Sequence, residues 1–221
     1  MDRFRVVKFA SRTDAGKKLG VAVRSRTRDA DGGSLLVLGI PTGGIPVGLE
    51  VAEALNAPFD VWLAQKVSAP DNPEFAIGSV ASNGEVFIDE GLVAALRIPQ
   101  TYLDAEIARC RRELGEKMRF FRGSDEPVNV EDKVVILVDD GIATGATAQA
   151  ALASLQRAGA RRRILAVPVA AASTVERLAG LADELVILMA PRSFSAVGEF
   201  YDDFSQLSRE EAAAKMCKRA G

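Results

Sequence analysis

Apolar residues fall into two patterns along this chain. Short, mostly apolar stretches at 34–40, 59–67, 133–138, 163–169 and 184–189 read as buried strands. Between them, apolar residues recur at three- and four-residue steps, the spacing of a helix face. Such a face is predicted over 45–55. A longer one spans 101–122, where Leu103, Ile107, Cys110, Leu114, Met118 and Phe121 line up. Another helix is predicted from about Gly145, with Gly159 suited to the position just past its end. Ser173 stands three residues before Glu176, the spacing of a capping box, so a helix is expected to open there. A terminal helix is expected over 210–218. Residues 76–88 read as two short strands around Asn83-Gly84, a dipeptide suited to a tight hairpin turn.

Strands that alternate with helices, and that are apolar throughout, predict an α/β fold: a parallel twisted sheet flanked by helices. With no repeat, low-complexity tract or linker, residues 1–221 read as a single domain with its core at about 34–190. In such sheets ligands sit beyond the carboxyl ends of the strands. The loops there are 41–44, 67–75, 139–147 and 170–172.

Composition narrows the chemistry. Of 221 residues, 48% are hydrophobic and 26% charged, so a real core can form. A net charge of −2 gives no basic excess, and no nucleic-acid partner is expected. The short basic runs at 111–112 and 161–163 read as solvated faces. No stretch approaches the ~20 apolar residues of a membrane span, and the start Met1-Asp2-Arg3-Phe4-Arg5 lacks a secretory run. Two distant cysteines fit a reducing compartment. The expectation is a cytoplasmic protein with no membrane partner. The chain has no histidine, which removes Ser-His-Asp triads, Cys-His pairs and histidine-ligated zinc. Acid–base work falls to carboxylates, Lys, Tyr, water or the substrate.

One segment carries most of the chemistry. From Val134 to Val138 a buried strand delivers Asp139 and Asp140 to its carboxyl end. A short loop with Gly141 and Ala143 follows, and a helix then opens through Thr144, Gly145, Ala146 and Thr147. A helix start offers unpaired N–H groups and the positive end of its dipole, which suit a phosphate. Small residues let the phosphate approach, and threonine hydroxyls add donors. The carboxylates can accept from vicinal hydroxyls. Together they suit a ribose 5-phosphate. The plainer alternative is a turn at Asp-Asp-Gly and a capping Thr144. Neither G-x-x-x-x-G-K-[ST] nor G-x-G-x-x-G is present.

The segment resembles the fingerprint of the type I phosphoribosyltransferases: hydrophobic strand, two acidic residues, then Thr-Gly-x-Thr. The rest of the chain is similar to a little-characterised bacterial branch of that family. The pieces are Gly39-Ile-Pro-Thr-Gly-Gly44, Lys66 with Pro70-Asp-Asn-Pro-Glu-Phe-Ala-Ile-Gly78, and Ala196-Val-Gly-Glu-Phe-Tyr-Asp-Asp-Phe204. The resemblance implies a parallel sheet with a small hood, the latter built here from the N- and C-terminal segments around a β-hairpin insertion. It implies a 5-phosphoribosyl 1-diphosphate donor with Mg2+ held mainly by the diphosphate and water rather than by protein ligands. It also leaves room for a homodimer.

Carried over by position, Asp139 and Asp140 would hold the ribose hydroxyls and 143–147 the 5-phosphate. Thr42, Gly43 and Gly44 would form the pyrophosphate loop. Relatives usually have arginine where Thr42 stands, so a charge on the leaving diphosphate is missing. Lys66 could supply one, or be a solvated strand-end lysine. The acceptor is left open; the loop 190–194 with Phe200 and Tyr201 could face it, or its aromatics could be core. Residues 68–74, with two prolines, read as a mobile lid that cannot join a sheet centrally, with Glu74 as a candidate base. A rigid proline turn on the hairpin is the other reading. The alternatives to transferase activity are a non-catalytic sensor of the donor and another phosphosugar-binding α/β enzyme.

Overall fold

Strands apolar on both faces need cover on both sides, and the fold supplies it. In the computed structural model, which describes residues 8–28 and 34–217 and leaves aside the side chains of Pro73 and Glu74, the elements follow in this order. They are α1 (Arg12–Arg26), β1 (Leu35–Gly39), α2 (Gly44–Leu55), β2 (Phe59–Val61), β3 (Ala64–Ala69), β4 (Asn72–Ala81), β5 (Val86–Ile88), α3 (Glu90–Ala95), α4 (Gln100–Arg122), β6 (Val134–Val138), α5 (Ala146–Arg157), β7 (Arg162–Val169), α6 (Ala172–Leu178), β8 (Glu184–Met189), a 3-10 turn at Val197–Phe200, and α7 (Arg209–Cys217).

Five strands form a parallel sheet in the order β2-β1-β6-β7-β8. Alternate residues face opposite layers. Leu36, Leu38, Val135, Leu137, Leu165 and Val167 pack with residues of α4, α5 and the hairpin strands. Leu35, Val37, Val134, Ile136, Val138 and Ile164 pack with α1 and α2. The order places the functional loops. From β1 the chain turns one way, through α2 to β2; from neighbouring β6 it turns the other way, through α5 to β7. Where two such connections diverge a crevice opens at the strands' carboxyl ends. Its walls are the loops after β1 and β6.

Three expectations are corrected. The stretch 59–67 is two strands, not one. β2 ends at Val61, fully buried Trp62 donates its backbone N–H to Gly39 O, and Leu63 then pairs with Ser82, whose hydroxyl accepts from Leu63 N at 2.6 Å. β3 therefore belongs to a separate antiparallel sheet, β3-β4-β5. Second, residues 68–74 are the tip of the β3–β4 hairpin, and Pro73 lies within β4, the central strand. The prolines are tolerated because the ladder slips there: Ala69 faces Asn72 while Ser68 faces Ala76, with the register shift between them. The base of the tip is tied to α4, where Tyr102 Oη donates to Ser68 O (3.0 Å) and Ser68 N donates to Glu106 (3.4 Å). Third, Ser173 caps nothing. α6 opens at Ala172 without a side-chain cap, and Thr174 hydrogen bonds elsewhere.

Two helices lie where the sequence reading placed none. In α3 the Asp89 side chain caps Leu92 N (2.9 Å). In α1 Ser11 caps Asp14 N, and a stripe of small residues faces α2: a Cβ on Gly16 would meet Glu50 Cβ at 2.8 Å, and one on Gly20 would meet Ala54 Cβ at 2.6 Å. The N- and C-terminal segments meet over the sheet's carboxyl edge. Phe9 N donates to Phe200 O (2.9 Å) and Asp202 N to Phe9 O (2.8 Å), with Phe9, Phe200 and Tyr201 buried together beside Val169. Among the described residues no helix is long and apolar enough to cross a membrane.

Candidate active site

The loop after β6 begins with the carboxylate pair. Asp140 N donates to the Asp139 carboxylate (2.9 Å), which fixes the turn between them. Desolvation at the sheet's end, and then the neighbouring Asp140, push the Asp139 pKa well above the usual carboxylate range. Asp140 is buried, and desolvation raises its pKa too, against the opposing pull of Arg12. Arg12 Nε donates to Asp140 Oδ2 at 2.7 Å, and Tyr201 Oη donates to the Asp140 backbone carbonyl at 2.5 Å.

Beyond the pair, Gly141 is half-buried, Ile142 is buried and pairs with Ala170, and Ala143, Thr144, Ala146 and Thr147 are exposed. Gly145 takes φ +77°, a left-handed conformation that favours glycine, and α5 starts directly after it with no side-chain cap. The first bond into the helix runs from Gln149 N to Gly145 O. The N–H groups before it point out of the helix start, where an anion is favoured. The loop's carbonyls are held from behind: Thr174 Oγ1 donates to Ala143 O (2.6 Å) and Arg177 Nη2 to Thr144 O (2.7 Å). With its acceptors tied back, the loop presents donors to the crevice.

The loop after β1 presses against this one. Gly43 precedes α2, so a second helix start faces the crevice. A Cβ on Gly43 would overlap Asp140 Oδ2, and one on Gly44 would overlap Val138 O. Thr42, Gly43 and Gly44 therefore lie alongside the carboxylate pair.

The sequence of residues 15–188 matches the family model described as the phosphoribosyl transferase domain. The chain belongs to this family.

The crystal structure of TT1426 from Thermus thermophilus is 39% identical and covers 97% of this chain and 100% of its own, with a TM-score of 0.79. Proteins from two strains of Mycobacterium tuberculosis, named "Putative phosphoribosyl transferase", are 37% identical over 206 residues, or 93% of this chain. That match covers 46% of their length, so the chain spans about half of these curated relatives. AQ2163 from Aquifex aeolicus shares the fold at 12% identity, with a TM-score of 0.50 over 85% of this chain and 78% of its own.

In this phosphoribosyl transferase domain the structure brings together Thr42, Gly43, Gly44, Asp139, Asp140, Gly141 and residues 143–147. Lys66 sits on β3 opposite Ser79, and its carbonyl accepts from the Cys110 thiol. Glu74 lies on β4, with its side chain outside the described residues. Phe200 and Tyr201 are core residues, and Phe194 stacks on Phe200 with centroids 5.2 Å apart. Their rings serve packing, the second of the two readings that the sequence left open.

Sequence reasoning missed Arg12, Tyr201 Oη, Thr174 and Arg177. The cap at Ser11 and the apolar steps Ala15, Leu19 and Val23 could have revealed α1, but not that its first residue meets a carboxylate 128 positions away.

Proposed function

We propose that this chain transfers the 5-phosphoribosyl group of magnesium-bound 5-phosphoribosyl 1-diphosphate to a nitrogenous base or another small nucleophile, with release of diphosphate. The observation that carries this is the meeting, at one topological switch point, of a helix start with exposed threonines, a carboxylate pair and a glycine loop. Each suits one part of that donor. The N–H groups from Gly145 onward and the hydroxyls of Thr144 and Thr147 suit the 5-phosphate. Asp139 and Asp140 suit the vicinal hydroxyls, and the start of α2 with Thr42 and Gly43 suits the diphosphate.

In the reaction the bond from the anomeric carbon to the diphosphate oxygen breaks, and its electron pair leaves with diphosphate. A nitrogen lone pair forms the new bond, and any proton on that nitrogen passes to water or to the released diphosphate. The transition state has oxocarbenium character, so the chain's task is positioning and stabilisation of charge. Among the described residues no group of three or more acidic, cysteine or histidine side chains could enclose a metal ion. A desolvated carboxylate pair with raised pKa values nevertheless suits a cation carried in on the diphosphate and mostly hydrated. Bound there, magnesium would neutralise charge on the leaving group. Both cysteines are free, which suits a reducing cytoplasm.

Titration calorimetry of the chain with the donor is expected to show binding with magnesium and little without it. No heat in the presence of magnesium refutes the reading. Diphosphate release with a panel of bases then separates an enzyme from a sensor.

Thr147→Val tests the phosphate end separately. The side chain is exposed, so folding stability should change by less than about 0.5 kcal/mol. Affinity for ribose 5-phosphate is expected to fall about tenfold or more, the worth of one charge-assisted bond, and affinity for free ribose not at all. Equal losses for both ligands place the phosphate elsewhere.

A further inference from the structure

The loop expected to hold the diphosphate carries no charge: its residues are Pro41, Thr42, Gly43 and Gly44. Charge that grows on a leaving diphosphate is stabilised by cationic side chains as well as by a metal ion. The structure holds one at this place that no motif contains. Arg12, the first residue of α1, puts Nε 2.7 Å from Asp140 Oδ2, and that same oxygen is the atom a Cβ on Gly43 would strike. Asp140 is thus the common neighbour of the guanidinium and the glycine loop.

Arg12 is held there from several sides. Its guanidinium lies 3.9 Å from the centroid of the Phe204 ring, and Nη1 donates to Ser205 O at 2.9 Å. Phe204 packs on Tyr201, whose hydroxyl bonds the Asp140 carbonyl. The base of α1 is fixed by the bonds between Phe9 and the 200–202 segment. Such a platform fixes the side chain's position but leaves donors over. Two of the five guanidinium N–H groups are engaged by the bonds to Asp140 and Ser205.

Ribose chemistry says where the remaining donors would act. The 2-hydroxyl is on the carbon next to the one that bears the diphosphate. A cation bonded to the carboxylate that takes the vicinal hydroxyls therefore stands next to the leaving group.

We propose that Arg12 is the diphosphate-binding cation of this site, in place of the charge missing at Thr42. Its pair with Asp140 is the resting arrangement. When the ribose hydroxyls take up the carboxylate, the guanidinium turns its donors to the diphosphate. This rests on the phosphoribosyl reading above and assigns its leaving-group contact. A planar fork that can bind two oxygens at once suits diphosphate better than an ammonium does.

The test is calorimetry of the wild-type chain, Arg12→Gln and Arg12→Lys with three probes: magnesium pyrophosphate, ribose 5-phosphate and the magnesium-bound donor. For Arg12→Gln, affinity for pyrophosphate and for the donor is expected to fall at least about tenfold. Affinity for ribose 5-phosphate should stay within about threefold of wild type or become tighter, since Asp140 is released from its competitor. Arg12→Lys should fall between the two in pyrophosphate affinity. It also carries the test if Arg12→Gln does not fold.

Unchanged pyrophosphate affinity overturns the assignment. So does a loss of ribose 5-phosphate affinity in step with pyrophosphate, which means that Arg12 only props up Asp140. A wild-type chain that binds neither ribose 5-phosphate nor the donor refutes instead the phosphoribosyl reading beneath it.

Discussion

Asp139→Asn is expected to make the ligand-free protein more stable at neutral pH while weakening its hold on the phosphoribosyl donor. Burial and the adjacent Asp140 hold the Asp139 pKa well above its ordinary value. A carboxyl whose pKa is raised by folding binds its proton more tightly in the folded state than in the unfolded one. Its ionisation therefore costs stability, and the cost grows as pH rises from the ordinary carboxylate range toward the raised value. Asparagine removes that cost and keeps an oxygen to accept from Asp140 N, the bond now made at 2.9 Å. The melting temperature should rise by a few degrees at neutral pH, since ~1 kcal/mol corresponds to about 2–4 °C for a chain of this size. The gain should vanish in acid, where both forms are neutral. Donor affinity should fall about tenfold or more, because a charge-assisted acceptor for ribose is lost.

Asp140→Asn should gain less in the first respect, because Arg12 offsets part of the desolvation that raises the Asp140 pKa. It also leaves the half-buried Arg12 guanidinium without its ionic partner, so its melting temperature at neutral pH should stay below that of Asp139→Asn. Melting curves of both variants between pH 5 and 8, with and without donor, decide this. An Asp139→Asn variant that melts lower than wild type at neutral pH contradicts the electrostatic account. Unchanged donor affinity in both variants reduces the Asp pair to a turn.

The second large effect separates two adjacent glycines. On Gly44 a Cβ would overlap Val138 O and sit 3.1 Å from Asp139 Cα, both backbone atoms at the end of β6. Neither can rotate away, so Gly44→Ala must pry the loop from the sheet. A cost of about 3 kcal/mol is expected, the upper end for overpacking. On Gly43 the Cβ would meet the Asp140 carboxylate. That side chain can swing aside. Gly43→Ala should therefore fold with a smaller loss, yet bind the donor poorly because Asp140 has left its place. Urea unfolding is expected to show a large drop in midpoint for Gly44→Ala only, and calorimetry a lost donor signal for Gly43→Ala. If Gly43→Ala binds normally, the contact between this loop and Asp140 plays no part in recognition.

Much of the candidate site was legible because it is local. The strand β6, the carboxylates at its end, Gly145 and the start of α5 are consecutive residues, and each follows from apolar pattern, turn chemistry and helix-end electrostatics. The parallel sheet was legible for a similar reason: a strand apolar on both faces has to be covered on both.

What needed the tertiary structure was whatever depends on a distant partner. The stretch 59–67 carries no glycine, proline or other turn residue after Trp62, so nothing local marks that residue as a pivot; the break is set by Gly39 and by Ser82, nineteen residues beyond Leu63. Ser173 has the spacing of a cap, but the neighbouring Thr174 is taken by the carbonyl of Ala143, and the helix starts without one. In α1 glycines interleave with Ala15, Leu19 and Val23 on the buried side, because closeness to α2 matters there as well as apolar bulk. Arg12 reads as an ordinary surface arginine until the N-terminal segment pairs with residues 200–203 and carries it onto Asp140. Sequence determined which residues could meet a sugar phosphate, because that chemistry lies in one short segment. The fold alone decided which charge stands opposite them, because an ion pair between remote positions leaves no periodicity or spacing in the chain.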